Sequence, residues 1–312
     1  MLKKMLVTLL IGILLFSGCT YQRPISANIT HSRTWSSDSA YYGKGITFEL
    51  VDSEFFDASK QVFWIHSEEE LALLLTIQFD KGVRVVEYMS ENPLDAERVI
   101  SYLVSLFVHD FEYYDGLFEY SDGGVVKLVS DYVQLESIEP DIVYVENEID
   151  EWTKNIKDED LEPQIEAKYF HDLIIKEVRY DETAGKDDNR ETDAYSAIGV
   201  FEDRLAVCNG YSQAYMGLLK EMEIPAILIS SNVDDHAWNM VYIANEWKYV
   251  DTTWDDLDDK IERPIYDYFL KSEDEFTDHI FDKSGYMTLS QTEYMEFANF
   301  VFPQLQSSST NQ

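Results

Sequence analysis

The sequence predicts an α+β protein in two folded units: a helix carrying a cysteine packed on an antiparallel sheet, preceded by a smaller mixed α/β unit. Three observations predict this. Ala214, Tyr215, Leu218, Leu219 and Met222 fall on one face of a helix that follows Cys208 and stops near Pro225. Beyond Pro225 come three strand-like runs, 226–230, 236–243 and 247–252, the last two joined by a tight turn at Ala244-Asn245. Upstream, between about 45 and 135, strand-period and helix-period stretches alternate.

Taken in order, the chain opens with Lys3 and Lys4, an apolar run over 5–16 and then Ser17-Gly18-Cys19. This reads as a secretory signal peptide over 1–18, and its apolar run is short for a membrane-spanning helix. Leu15-Phe16-Ser17-Gly18-Cys19 resembles the lipobox of bacterial lipoproteins. That resemblance implies cleavage before Cys19 and lipid attachment there, anchoring the chain on the extracytoplasmic face of the cell membrane. Residues 19–44, rich in Ser and Thr, are expected to form a flexible tether.

The N-terminal α+β unit is placed at 45–135. Strands are expected over 46–51, 62–65 and 83–88, and Ser67-Glu68-Glu69-Glu70 marks a capped helix start. A second helix is expected over 93–108 with Asn92 as its cap, and Ser121-Asp122-Gly123-Gly124 marks a hairpin between strands over 111–120 and 125–135. His66 and His109 stand without a nucleophile or metal-spaced partner and read as surface or packing residues. An acidic linker, partly helical around 149–156, is expected over 136–162, the second unit over 163–303 and a loose polar tail over 304–312.

The chemistry concentrates in 207–256. Cys208 falls at or just before a helix N-terminus, where free backbone N–H groups and the helix dipole favour a thiolate and could hold an oxyanion. A two-residue turn at 244–245 pairs His236 with Thr253 and Trp238 with Asp251. His236 and Asp251 then share a sheet face as diagonal neighbours, with Cβ atoms about 7 Å apart. If the cysteine helix packs on that face, a thiol, an imidazole and a carboxylate align as nucleophile, base and orienting group.

Cys208-Asn209-Gly210-Tyr211, His236-Ala237-Trp238-Asn239 and Val250-Asp251-Thr252-Thr253-Trp254-Asp255-Asp256 resemble the three blocks of the transglutaminase-like superfamily, whose core is a papain-like cysteine fold. The resemblance runs upstream to Phe170-His171-Asp172 and covers about 165–260. It implies Cys208 as nucleophile, His236 as base and Asp251 as the third member. Asn209, Tyr211, Trp238 and Asn239 stand as cleft or oxyanion candidates, with core packing as the alternative for the aromatic residues. His171 is a competing base, although a structural hydrogen-bonding role suits its remote helix better. Asp255, Asp256, Asp258 and Asp259 lack the glycine and closing glutamate of a calcium loop and read as a solvated acidic turn. No metal and no cofactor are expected.

With 24 Lys+Arg against 60 Asp+Glu, a formal charge of −36, the chain is not a nucleic-acid binder, and membrane contact should come from the lipid on Cys19. Of its 2 Cys, acylation of Cys19 would leave Cys208 without a disulfide partner. The reading is a membrane-anchored lipoprotein that acts on protein or peptide amides, cell-wall peptides among them, through a thioester acyl-enzyme. Water as acceptor makes it a peptidase or deamidase, an amine a transglutaminase. The alternative is a catalytically silent surface binding or scaffold lipoprotein on the same fold.

Overall fold

This computed structural model describes residues 30–52, 61–83, 85–106, 117–122, 125–130, 132–184, 192–257, 265–281 and 288–305. The leader, Cys19, His109, Asp258, Asp259 and the last seven residues of the tail lie outside the described residues. Among those described, no helix is long and apolar enough to cross a membrane.

Six strands form the N-terminal sheet: β1 Thr30–Ser36, β2 Thr47–Asp52, β3 Val62–Ile65, β4 Val85–Ser90, β5 Leu117–Asp122 and β6 Val125–Ser130. Their order is β1-β2-β3-β4-β6-β5, and every pairing is antiparallel except β3 with β4. A parallel pair needs a crossover, which α1, Glu68–Asp80, supplies. The expected cap is present: the Ser67 hydroxyl accepts from the Glu70 N–H at 3.3 Å.

Four expectations for this half need correction. Residues 30–36 are an edge strand and not part of a flexible tether, because Trp35 packs against Phe48 and Phe63 with ring centroids 5.7 and 5.8 Å away. Tyr41 and Tyr42 are buried; the Tyr41 hydroxyl donates to the Ile224 carbonyl at 2.7 Å and accepts from the Ala226 N–H at 2.9 Å. The second helix, α2, is Ala96–Val104 and starts after Asp95, whose carboxylate accepts from the Glu97 N–H at 3.0 Å. The strand expected to reach 135 ends at Ser130, and the supposed linker is largely α3, Tyr132–Thr153. Val145, Ile149 and Trp152 form its buried stripe, a helical spacing hidden among acidic residues.

In the second half, α4 spans Pro163–Glu177, β7 Arg179–Tyr180 pairs in parallel with β8 Leu205–Ala206, and α5 spans Cys208–Glu221. Between β7 and β8 lie two short turns, a 3₁₀ turn at Thr192–Tyr195 and a π turn at Gly199–Asp203. A three-stranded antiparallel sheet follows, ordered β11-β10-β9 from β9 Ala226–Ser231, β10 His236–Ile243 and β11 Glu246–Val250. Ala244 and Asn245 have φ of 54° and 68°, a two-residue turn with both central residues left-handed. The register Ile243↔Glu246 to Asn239↔Val250 is the one anticipated. The sequence reading missed α6, Gln291–Val301, which opens with a Ser290/Glu293 capping box.

That small sheet is buried on both faces. Ile227, Ile229, Trp238, Met240 and Tyr249 join α1, α2, α6 and the first sheet in one core. Ala226, Leu228, Ala237, Val241 and Val250 join α3, α4 and α5 in the other. Strand alternation sends neighbouring residues to opposite cores, so the two halves of the chain share this sheet as a common wall.

Candidate active site

Cys208 occupies the first residue of α5 and is half-buried. The backbone N–H groups of a helix's first turn have no acceptor inside the helix and point along its axis, so those of 208–210 are directed toward the end of α5 that carries the thiol. The helix start is held against the 192–195 turn: Val207 N–H donates to the Ala194 carbonyl at 2.8 Å, and the Asn209 amide donates to the Tyr195 carbonyl at 2.6 Å. Gly210 makes this approach possible, since a Cβ there would lie 2.7 Å from the Ser196 carbonyl oxygen.

The Asp251 carboxylate is fully buried and receives four donors. Oδ1 accepts from the backbone N–H groups of Thr253 at 2.9 Å and Trp254 at 3.1 Å, as an Asx turn does. Oδ2 lies 2.6 Å from His236 Nε2 and 2.9 Å from His279 Nε2. Burial alone would raise its pKa, and the two imidazoles beside it outweigh burial and lower it.

His236, the first residue of β10, lies beneath Trp254, ring centroids 4.9 Å apart and planes 19° from parallel. Burial disfavours its protonation, but Asp251 first and then Cys208, as acceptors for the imidazolium N–H groups, override burial and push its pKa up to about 10. With Nε2 on Asp251, Nδ1 is the nitrogen left for the sulfur.

The row forms differently from expectation in one respect. By strand alternation His236 and Asp251 lie on the face that carries Trp238, whereas α5 packs on the other, where the Asn239 amide donates to the Ser212 carbonyl at 3.1 Å. The helix therefore does not cover the His–Asp face; it meets His236 past the end of β10, with its N-terminal residue.

The cleft candidates also resolve. Tyr211, Trp238 and Asn239 are fully buried, so they are interior packing and not cleft wall. The Tyr211 hydroxyl donates to Asp256 at 2.7 Å, and the Asn209 side chain is a strut to the 192–195 turn. Two exposed residues lie near the start of α5: Tyr195, whose carbonyl accepts from the Asn209 amide, and Tyr180, which feels the charge of Cys208. Burial first, then Cys208, Glu182, Tyr195 and Asp235, push the Tyr180 phenol up to about 12.

His171 takes the structural role. Its Nδ1 lies 3.1 Å from Asp172 and its Nε2 3.0 Å from Asp255, so both ring nitrogens are engaged. Asp255 is buried by this contact, which corrects the expectation of a solvated acidic turn there.

His279 was not foreseen. It lies 28 positions beyond Asp251 in Asp278-His279-Ile280, and no spacing marks it. Among the described residues His236, Asp251 and His279 form the group whose ligand atoms lie within 4.8 Å of one another. Two ligand atoms around a tetrahedral zinc stand about 3.3 Å apart, given bonds of about 2.0 Å. The 2.6 and 2.9 Å separations are too short for an ion and fit shared protons.

A thiol at a helix start, set against an imidazole and carboxylate on an antiparallel sheet, defines the class of papain-like cysteine folds. Residues 150–252 match the family model of the transglutaminase-like superfamily, and the chain carries a transglutaminase-like core over that third of its length. Two solved structures are similar. One is a TGase, 14% identical, TM-score 0.36, with 69% of this chain and 64% of that one covered. The other, a candidate cysteine protease from Cytophaga hutchinsonii, is 17% identical with a TM-score of 0.27, covering 44% and 61%. The chain thus spans less than two thirds of either relative's length. No curated protein matches the chain.

Proposed function

We propose that this chain is a cysteine-dependent acyl-transfer enzyme acting on protein or peptide amides, with Cys208 as nucleophile, His236 as its proton partner and Asp251 as the orienting carboxylate. One observation carries the reading: His236 is held 2.6 Å from buried Asp251, and Cys208 beside it helps to hold the imidazole in its protonated form. In the forward step the sulfur attacks the amide carbon, the carbonyl oxygen takes up negative charge near the N–H groups of 208–210, and the tetrahedral species collapses. The imidazolium gives its proton to the departing nitrogen, which leaves as ammonia or amine, and a thioester remains on Cys208. The same imidazole then deprotonates the acceptor, water for hydrolysis or a primary amine for transamidation.

The anchoring belongs to the same proposal: Cys19 carries lipid and holds the chain on the extracytoplasmic face of a bacterial membrane, which makes surface and cell-wall peptides the accessible substrates. Support comes from Lys3, Lys4, the apolar run and Ser17-Gly18-Cys19. The test incubates the full chain with glutamine-containing and cell-wall peptides and reads amide loss, cleavage or amine incorporation by mass spectrometry. Product formed by the wild type and absent with Cys208→Ser supports the reading. Absence from both, with Cys208 slow to react with a thiol-directed electrophile and indifferent to His236→Ala, leaves the silent binding lipoprotein in its place.

A further inference from the structure

We propose that His279 is a positioning residue for the Cys208–His236–Asp251 site: its hydrogen bond to the oxygen that holds His236 fixes that oxygen's direction and limits how strongly the imidazole's proton is drawn to it. The proposal rests on the preceding reading only for its functional meaning; its test needs no turnover.

A carboxylate offers about four lone-pair sites, and Asp251 fills all of them: two backbone N–H groups on Oδ1, and two imidazole Nε2 atoms on Oδ2 at 2.6 and 2.9 Å. A carboxylate so held cannot rotate about its terminal bond without breaking several bonds at once. Without His279, Oδ2 would have His236 as its one donor, and the charge now divided between two hydrogen bonds would fall on one. His279 thus acts on His236 through Asp251.

The ring of His279 is itself fixed. Phe276 stacks on it at 3.7 Å, and Trp254 and Trp238 lie at 4.2 and 4.8 Å. Its Nδ1 is buried and has no hydrogen-bond partner among the described residues. A proton on Nδ1 would be an orphan donor among aromatic rings, whereas a proton on Nε2 is satisfied by Asp251, so the geometry selects the Nε2–H form. The segment is tied to the strand it serves: Ile280 N–H donates to the Asp234 carboxylate at 2.6 Å, two residues before His236. The Tyr268 hydroxyl donates to Asp278 at 2.8 Å. This support lies outside the 150–252 family match, so it is a feature of this chain's own C-terminal segment.

The test uses the full chain, labelled with nitrogen-15. In the wild type, two-bond correlations should show His279 protonated at Nε2 and bare at Nδ1, with a low-field proton between His236 and Asp251. In His279→Leu that proton should move further downfield, and the His236 midpoint should rise by about half to one pH unit, the size expected when one competing hydrogen bond is removed. His279→Gln, whose side-chain N–H can stand where Nε2–H stood, should leave both at their wild-type positions. A wild-type His279 protonated on Nδ1 instead of Nε2 overturns the proposal, as does an unmoved His236 resonance in His279→Leu or a Gln variant no closer to wild type than Leu. If the Leu variant does not fold, the wild-type tautomer and the Gln variant still decide. A chain that turns over no amide would refute the proposed function and leave these outcomes intact.

Discussion

Replacing Asp251 with Asn tests the site's electrostatics with little change of shape. The amide oxygen can keep the Thr253 and Trp254 N–H bonds, but its NH₂ then faces His236 and His279, which now present donors. His236 must give up its Nε2 proton to accept, and burial, now opposed by Cys208 alone, drives its pKa down from about 10. The gap between 6.5 and about 10 corresponds to roughly 5 kcal/mol of preference for the charged ring, shared between Asp251 and Cys208. Because the folded-state pKa is raised, this stability is present in full below pH 6.5 and is lost as pH rises through about 10.

Wild-type unfolding free energy should therefore fall across that window by up to about 1.4 kcal/mol per pH unit, and Asp251→Asn should fall less steeply there. Urea unfolding at pH 6, 8 and 9.5 measures the slope, and nitrogen-15 titration of the six histidines reads His236 directly. If amide turnover is found, it should drop by about 10²- to 10⁴-fold in the variant. A wild-type His236 that titrates near 6.5, or one whose midpoint is the same in Asp251→Asn, would refute the electrostatic account.

Two further substitutions probe how the site is held. Gly210→Ala would drive a Cβ to 2.7 Å from the Ser196 carbonyl oxygen, so it should cost about 1–3 kcal/mol in urea unfolding and slow alkylation of Cys208 two residues away. His171→Leu would strand buried Asp255 without its imidazole and should destabilise by about 3–5 kcal/mol while leaving the His236 titration in place. Burial lowers the pKa of His171, but Asp172 and Asp255 outweigh it and raise it, so this cost should be greatest below pH 6.5 and shrink as pH rises through the raised value. An equal loss at all pH values in calorimetry would contradict the sign.

What was legible in the sequence was whatever local chemistry dictates. The Ala244-Asn245 turn sets a register, and that register alone places His236 and Asp251 as neighbours on one face. Cys208 before a helical stripe locates the thiol at a helix start. What escaped was decided at long range. Residues 30–36 become a strand only because β2 offers an edge, and α3 hides its apolar stripe among acidic residues around Pro140. Which face α5 covers is settled by α3 and α4 behind it, which no pattern within 207–256 reveals. His279 had no signal at all: a histidine in an acidic segment becomes part of the site only when that segment folds back over Trp254 and Trp238.

The placement of α5 bears on how a substrate would reach the sulfur. Had the helix covered the His–Asp face, the thiol would be enclosed with its partners. Instead the face carrying His236 and Asp251 is sealed by Trp238, Trp254, Phe276 and His279, and only the helix's first residue comes past the end of β10. The proton-handling pair thus sits in a water-poor, rigid setting where its hydrogen bonds count for most, while Cys208 itself stays half-buried at the helix start, near exposed Tyr180. A substrate carbonyl should therefore enter on the side of the exposed Tyr180 and Tyr195, next to the N–H groups at the start of α5. Bulk added at exposed Tyr195 should impair peptide turnover without altering the His236 resonance, and equal disturbance of both would mean that the entrance lies elsewhere.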